Sequence, residues 1–246
     1  MERPDVSGAL EPPEVRIGEP SDVIEMLAAD LEAYVAHAAR ERFTLAIPGG
    51  SVATRCFPRL AALPLDWSKI EFFWVDERAV TPMHDQSNYA SAVRAWLGPA
   101  AVPAARIHRM AGEGADLERA AREYEAELTG VAGNPPRLDY VLLGVGSDGH
   151  VASLFPGHRA LRETRPVLAI TDAPSPLPRR LTLSLPVLTR AARVVVVAFG
   201  RSKSQVLREA LSDPASTLPV ARIAREAPGC LFLLDRDAGS AGQRTI

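Results

Sequence analysis

The sequence predicts an α/β fold, an open, mostly parallel, Rossmann-like sheet with helices on both faces. Three observations predict it. Strand and helix patterns alternate along the 246 residues. Several strand candidates are apolar throughout, as strands covered on both faces must be. The glycine-rich and polar motifs fall directly after strand candidates, at the sheet edge where such folds bind ligands. The composition agrees: 47% hydrophobic and 24% charged residues give a packed core rather than a disordered chain.

The elements follow in order. Residues 15–17 read as a short strand. Ser21 reads as the N-cap of a helix over 21–40, with Glu25 near the capping-box position and Val23, Leu27, Leu31, Tyr34 and Val35 on a helical period. Residues 43–47 form a buried strand that runs into Pro48-Gly49-Gly50-Ser51, and a helix of about ten residues starts just after Ser51. Residues 70–75 are the next apolar strand, ending in Asp76-Glu77-Arg78. Segments 87–97 and 116–128 read as helices. Residues 138–143 are a strand that opens into Gly144-Val145-Gly146-Ser147-Asp148-Gly149-His150. Segments 166–170 and 181–185 are strands, and between them 171–180 carries three prolines, which exclude regular structure and leave a loop of about ten residues. Residues 194–199 are a fully apolar strand, followed by Gly200 and a helix over 203–211; 230–234 is the last strand. The whole chain, 1–246, reads as a single domain with loose ends at 1–12 and 237–246.

Composition narrows the function. Lys plus Arg is 28 and Asp plus Glu is 30, a formal charge of −2, which argues against a nucleic-acid partner. The N-terminus has no apolar h-region, and no run approaches about 18 apolar residues, so no signal peptide and no membrane partner are expected and the location reads as cytoplasmic. Cys56 and Cys230 stand far apart, offering neither a disulfide framework nor a cysteine-rich zinc site. His150 and His158 could share a metal, but no third ligand is evident, and no metal is expected.

Four motifs carry chemistry. In Gly49-Gly50-Ser51 the glycines admit close backbone approach, and a helix start offers free N–H groups to a phosphate; a plain tight turn with a serine cap reads the same way. Asp76 and Arg78, at i and i+2, project to one side if the strand continues, placing a carboxylate and a guanidinium together, or else forming a solvated ion pair. The segment 144–149 matches GxGxxG formally, but Pro156 and Gly157 leave room for only about one or two helical turns after it, so the dinucleotide reading fails. That loop instead delivers Asp148 and His150 to the sheet edge, as an imidazole base and its orienting carboxylate, against the alternative of a structural histidine. Lys203 follows Gly200-Arg201-Ser202 at a helix start, where a cation opposes the dipole unless an anion lies between. Arg179 and Arg180 close the proline-rich loop and offer a second cation.

Together these segments resemble the 6-phosphogluconolactonase family, within the wider group that includes glucosamine-6-phosphate deaminase. The resemblance rests on IPGGS (47–51), FFWVDERAVTPMHDQSNY (72–89), LDYVLLGVGSDGHVASLFPG (138–157), RRLTLSLPVL (179–188) and VVVVAFGRSK (194–203), in family order. It implies hydrolysis of 6-phospho-glucono-1,5-lactone to 6-phosphogluconate without a cofactor. On this reading Gly49, Gly50, Ser51, Arg180 and Lys203 grip the phosphate. His150, oriented by Asp148, activates water, while Arg78 and Asp76 hold substrate or developing charge. Which of Arg179 and Arg180 meets the phosphate stays open, as does a monomeric or dimeric state. The deaminase branch resembles DGHxAxNEP, with a glutamate five residues after the histidine; here that residue is Phe155, which cannot exchange protons. Two alternatives stand beside this reading. One is an amino-sugar-phosphate deaminase or isomerase; the other is a non-catalytic sugar-phosphate sensor, which would be expected with a DNA-binding segment for which the short N-terminus leaves no room.

Overall fold

The computed structural model describes residues 12–38 and 42–240. Expectations for 1–11, 39–41 and 241–246 lie outside the described residues.

The chain runs β1 (Glu14–Gly18), α1 (Pro20–Ala38), β2 (Phe43–Ile47), α2 (Gly50–Ala61), β3 (Ile70–Trp74), β4 (Asp76–Arg78), α3 (Asn88–Ala92), α4 (Leu117–Ala132) and β5 (Tyr140–Gly144). It continues through β6 (Val167–Ile170), β7 (Arg180–Leu183), α5 (Leu185–Thr189), β8 (Arg193–Ala198), α6 (Ser204–Ser212), α7 (Pro219–Glu226), β9 (Leu231–Asp235) and α8 (Arg236–Gly239). Six strands form a parallel sheet in the order β1-β9-β8-β5-β2-β3. Strands β2, β3 and β9 are buried at every position, and each is apolar but for one buried polar residue, Thr44, Glu71 and Asp235 in turn. From β2 the chain moves outward to β3, then returns to lay β5 on the other side of β2. That reversal opens a crevice at the carboxyl ends of β2 and β5.

A second sheet was not legible as such. Strands β4, β7 and β6 pair antiparallel in that order. Val75 is the corner between the sheets: its N–H donates to Ile47 O in the parallel sheet, and its carbonyl accepts from Leu183 N beside the antiparallel one. The segments read at 166–170 and 181–185 are strands, but they belong to this smaller sheet.

Several helix ends differ from expectation. Helix α1 starts at Pro20, whose missing N–H costs nothing in a first turn. Ser21 is therefore not the cap. Asp22 accepts from Glu19 N, and Glu25 pairs with Arg59 instead. Helix α2 starts at Gly50, so Ser51 lies inside its first turn rather than capping it. The helix read over 87–97 is α-helical only to Ala92; the turn then widens, and Gly98 N reaches back to Val93 O. Ser87 caps it, as Asp116 caps α4. The helix read over 203–211 begins at Ser204, with Lys203 in a tight preceding turn. No helix follows His150; the chain makes turns closed by a bridge between Val151 and Leu154. The end read as loose from 237 is ordered to 240, because Asp235 caps α8 through Ala238 N. Helix α7 was not anticipated.

Among the described residues no helix is long and apolar enough to cross a membrane. Cys56 and Cys230 are free and buried, and burial pushes each thiol up to about 12. Neither is reactive as a thiol, since the thiolate is the nucleophile. In native protein at neutral pH, maleimide should label neither cysteine until denaturant is added. Labelling at the rate of a free thiol would mean that the core opens readily.

Candidate active site

The crevice is a cleft of about 180 Å³ lined by residues on or next to five strands. Pro48, Gly49, Gly50 and Ser51 follow β2; Gly144 ends β5, and Val145, Gly146 and His150 follow it; Asp76 and Arg78 lie on β4; Arg180 opens β7; and Lys203 follows β8. The structure thus gathers every residue read as a site candidate. Asp148 does not line the cleft but is bonded to His150, which does.

The cationic wall follows from strand geometry. Asp76 and Arg78 are two apart on β4, and β7 pairs with it so that Arg78 faces Arg180 and Asp76 faces Thr182. Residues directly opposite in an antiparallel pair share a face. Two guanidiniums therefore stand side by side toward the cleft, an arrangement that repels unless a carboxylate or an anion offsets it. Asp76, 5% exposed, offsets part of it, with Oδ2 3.9 Å from Arg180 Nη1. It also accepts from Ser153 Oγ at 2.6 Å and from Asn88 Nδ2 at 3.1 Å. Arg180 is held by Leu177 O and Ser175 Oγ. Burial lowers its pKa, Asp76 opposes that, and Arg78 adds to it. Arg78 Nη1 donates to Gln86 O, while its Nε is buried with no partner among the described residues. Arg179 turns away to Ala115 O, so Arg180 is the cation of that pair that reaches the cleft.

The start of α2 also lines the cleft. Gly49 makes no side-chain cap, leaving the first N–H groups of a twelve-residue helix open to an anion. A Cβ on Gly49 would stand 1.8 Å from Asn88 Oδ1, so only glycine admits Asn88 here. Lys203 Nζ donates to Val145 O. Burial holds its pKa below the ordinary lysine value, with the Asp148 carboxylate pulling it back.

His150 lines the same cleft from the loop after β5. Its Nδ1 lies 2.6 Å from Asp148 Oδ1. A carboxylate only accepts, so Nδ1 carries the proton and the basic lone pair of the neutral ring is on Nε2. Burial works against ionisation of Asp148, but His150, through its charge, its backbone N–H and its ring, outweighs burial and holds the carboxyl below its usual range. Gly146 makes the pair possible: a Cβ there would sit 2.1 Å from His150 Nδ1 and 2.5 Å from Asp148 Oδ1. His158 instead pairs with Asp172, and among the described residues no cluster suits a metal ion.

Two residues escaped the sequence reading. Asn88 lines the cleft, donates to Asp76 and packs closely against Gly49; an asparagine after a serine at a helix start carries only a capping signal. Glu77 is buried and accepts from Arg78 N, Ser87 Oγ, Asn88 N and Tyr89 N. Burial raises its pKa against those four donors. It fastens the 78–88 loop that carries Arg78 and Asn88. Ala152, also lining the cleft, has a left-handed backbone (φ 50°), a strain that surrounding contacts must hold in place.

Residues 18–232 match the family model described as glucosamine-6-phosphate isomerases/6-phosphogluconolactonase. A 6-phosphogluconolactonase of Mycobacterium tuberculosis is 38% identical over 215 residues, covering 82% of this chain and 86% of that protein. The solved 6-phosphogluconolactonase of Trypanosoma brucei superposes with a TM-score of 0.84 at 27% identity, over 95% of this chain and 100% of that one. The enzyme from Leishmania guyanensis gives 0.79 at 31%, over 94% and 99%. With the family model spanning most of the chain and every strand of both sheets but the first few residues of β1 and the end of β9, the chain belongs to the glucosamine-6-phosphate isomerase/6-phosphogluconolactonase family.

Proposed function

We propose that the protein hydrolyses 6-phospho-glucono-1,5-lactone to 6-phosphogluconate, with His150 as general base. The observation that carries this reading is the pairing of two sites in one cleft. Arg78 and Arg180 stand across from each other on neighbouring strands and an uncapped helix start faces them, while a carboxylate-oriented imidazole opens onto the same space. The first arrangement demands an anion, and the second demands a proton to move. The relatives' shared name as lactonases supplies the substrate class. The buried apolar cluster that joins both sheets supports reading the chain as one domain.

In this mechanism the phosphoryl group rests on the N–H groups of Gly50 and Ser51, admitted by Gly49, and on Arg180 and Lys203. Holding the far end fixes C1 against the base. Nε2 of His150 takes a proton from water, and the water oxygen attacks the lactone carbonyl. Asp148 stabilises the resulting imidazolium. Arg78 faces the negative charge that develops on the carbonyl oxygen, and Asp76, held by Ser153 and Asn88, keeps Arg180 in place and meets sugar hydroxyls. The imidazolium then returns its proton to the ring oxygen as the ester C–O bond breaks. Phe155 offers no proton-exchanging group, so isomerisation or deamination of an amino-sugar phosphate is not supported.

The test is disappearance of freshly made lactone, with the uncatalysed hydrolysis subtracted, beside ammonia release from glucosamine 6-phosphate. Lactone loss well above the blank and no ammonia is the expected result; ammonia release without lactone loss would overturn the assignment.

Lys203 gives a pH prediction. Its folded pKa is depressed by burial, and only the cation grips phosphate. Affinity is therefore full below that lowered pKa and fades as pH rises through it, before an exposed lysine would deprotonate. Binding of 6-phosphogluconate, measured by calorimetry to avoid spontaneous hydrolysis, should weaken about tenfold on the alkaline side. Lys203→Arg, charged throughout, should flatten the profile. A wild-type profile that stays flat to the ordinary lysine range would remove Lys203 from the phosphate site.

A further inference from the structure

Phe155 is 3% exposed and belongs to the main apolar cluster, yet its ring borders two polar groups of the cleft. Its centroid lies 4.6 Å from that of the His150 imidazole, with the planes inclined at 38°. The guanidinium carbon of Arg180 lies 5.6 Å from the same phenyl centroid. We propose that Phe155 is a positioning residue for the reaction, fixing the plane of the His150 ring and giving the imidazolium an aromatic face as it forms. The proposal rests on reading His150 as the general base.

The Asp148 bond fixes where one ring nitrogen points, but an imidazole can still swing about that contact, because its terminal torsion is broad. Two further surfaces remove the freedom. The backbone of Gly146 presses close to Nδ1, where even a Cβ would be 2.1 Å away, and the Phe155 ring packs against the imidazole itself. Orientation of this kind separates a poised base from a merely present one. Charge matters as well. Once His150 has taken a proton it is a cation in a cleft that already holds Arg180 and Lys203. The face of a phenyl ring attracts a cation, and this ring serves His150 and Arg180 together.

The test uses Phe155→Leu and Phe155→Met, which keep an apolar side chain and remove the ring, and Phe155→Tyr, which keeps the ring. Each is made alone and in the His150→Ala background, with melting temperature measured for all. Both ring-less variants should lower kcat about tenfold with KM within about twofold, so unfolding of one leaves the other to decide. Phe155→Tyr should stay within about threefold of wild type. With His150 already alanine, removing the phenyl ring should cost nothing further, as for two residues acting as a unit. Additive losses in the double variants, or a change in KM with kcat intact, would overturn the proposal. Failure of the parent reading looks different: His150→Ala alone would then keep wild-type turnover.

Discussion

His150→Ala lowers kcat by about 10²–10⁴-fold, the usual contribution of a general base, while 6-phosphogluconate binds with near wild-type affinity. The split follows from how the cleft is built. The imidazole comes from the loop after β5, whereas the phosphate contacts come from the start of α2, from β7 and from the turn after β8. Removing the ring leaves those contacts whole. Steady-state kinetics and calorimetry on one preparation give both numbers. Asp148→Asn should act in the same direction. An amide can donate as well as accept, so the proton on Nδ1 is no longer enforced and the lone pair on Nε2 is lost from part of the population. An enzyme whose kcat survives His150→Ala has its base elsewhere.

Gly146→Ala is the second large effect, and it comes from one methyl group that touches no substrate. A Cβ at that position would lie 2.1 Å from His150 Nδ1, 2.3 Å from its Cε1 and 2.5 Å from Asp148 Oδ1. Real side chains do not tolerate such contacts, so the imidazole and its carboxylate must both move. A displacement of about 1 Å in a catalytic group costs on the order of 10²-fold. The expected result is a kcat lowered by that factor, KM changed little, and a thermal transition close to wild type, because the side chains that must move, His150 and Asp148, are partly exposed. Turnover equal to wild type would mean that the pair of His150 and Asp148 is not held as described.

How much of this was legible in the sequence depends on the range of the interaction. The strand β5 and its loop could be read because the apolar run Tyr140–Leu143 stops at glycines and the polar residues follow at once. The role of Gly146 in making room for His150 involves a contact across four residues and is visible only in space. The antiparallel sheet escaped because β4 has three residues and its partner β7 lies over a hundred positions away; no local pattern announces that pairing. Yet that pairing sets Arg78 beside Arg180 and decides that Arg180, not Arg179, enters the cleft. Ser51 illustrates the reverse error. A serine after two glycines is a good cap on local grounds, but Gly50 adopts a left-handed conformation (φ 64°) and the helix opens two residues earlier than that cap would set it. The helix start is then free of any side-chain cap, which suits a phosphate better than a capping serine would. Asn88 and Glu77 were missed because their partners, Asp76, Gly49 and the 78–89 backbone, come together only after β4 turns out of the parallel sheet.

The central claim is that one cleft holds the sugar's phosphoryl group at one end and presents C1 to His150 at the other. A crystal structure with 6-phosphogluconate bound measures this directly. Phosphoryl oxygens are expected within hydrogen-bonding distance of the Gly50 and Ser51 amides, Arg180 and Lys203, with the C1 carboxylate about 3–3.5 Å from Nε2 of His150. A phosphoryl group seated away from the start of α2, or a C1 carboxylate out of reach of that imidazole, would contradict it.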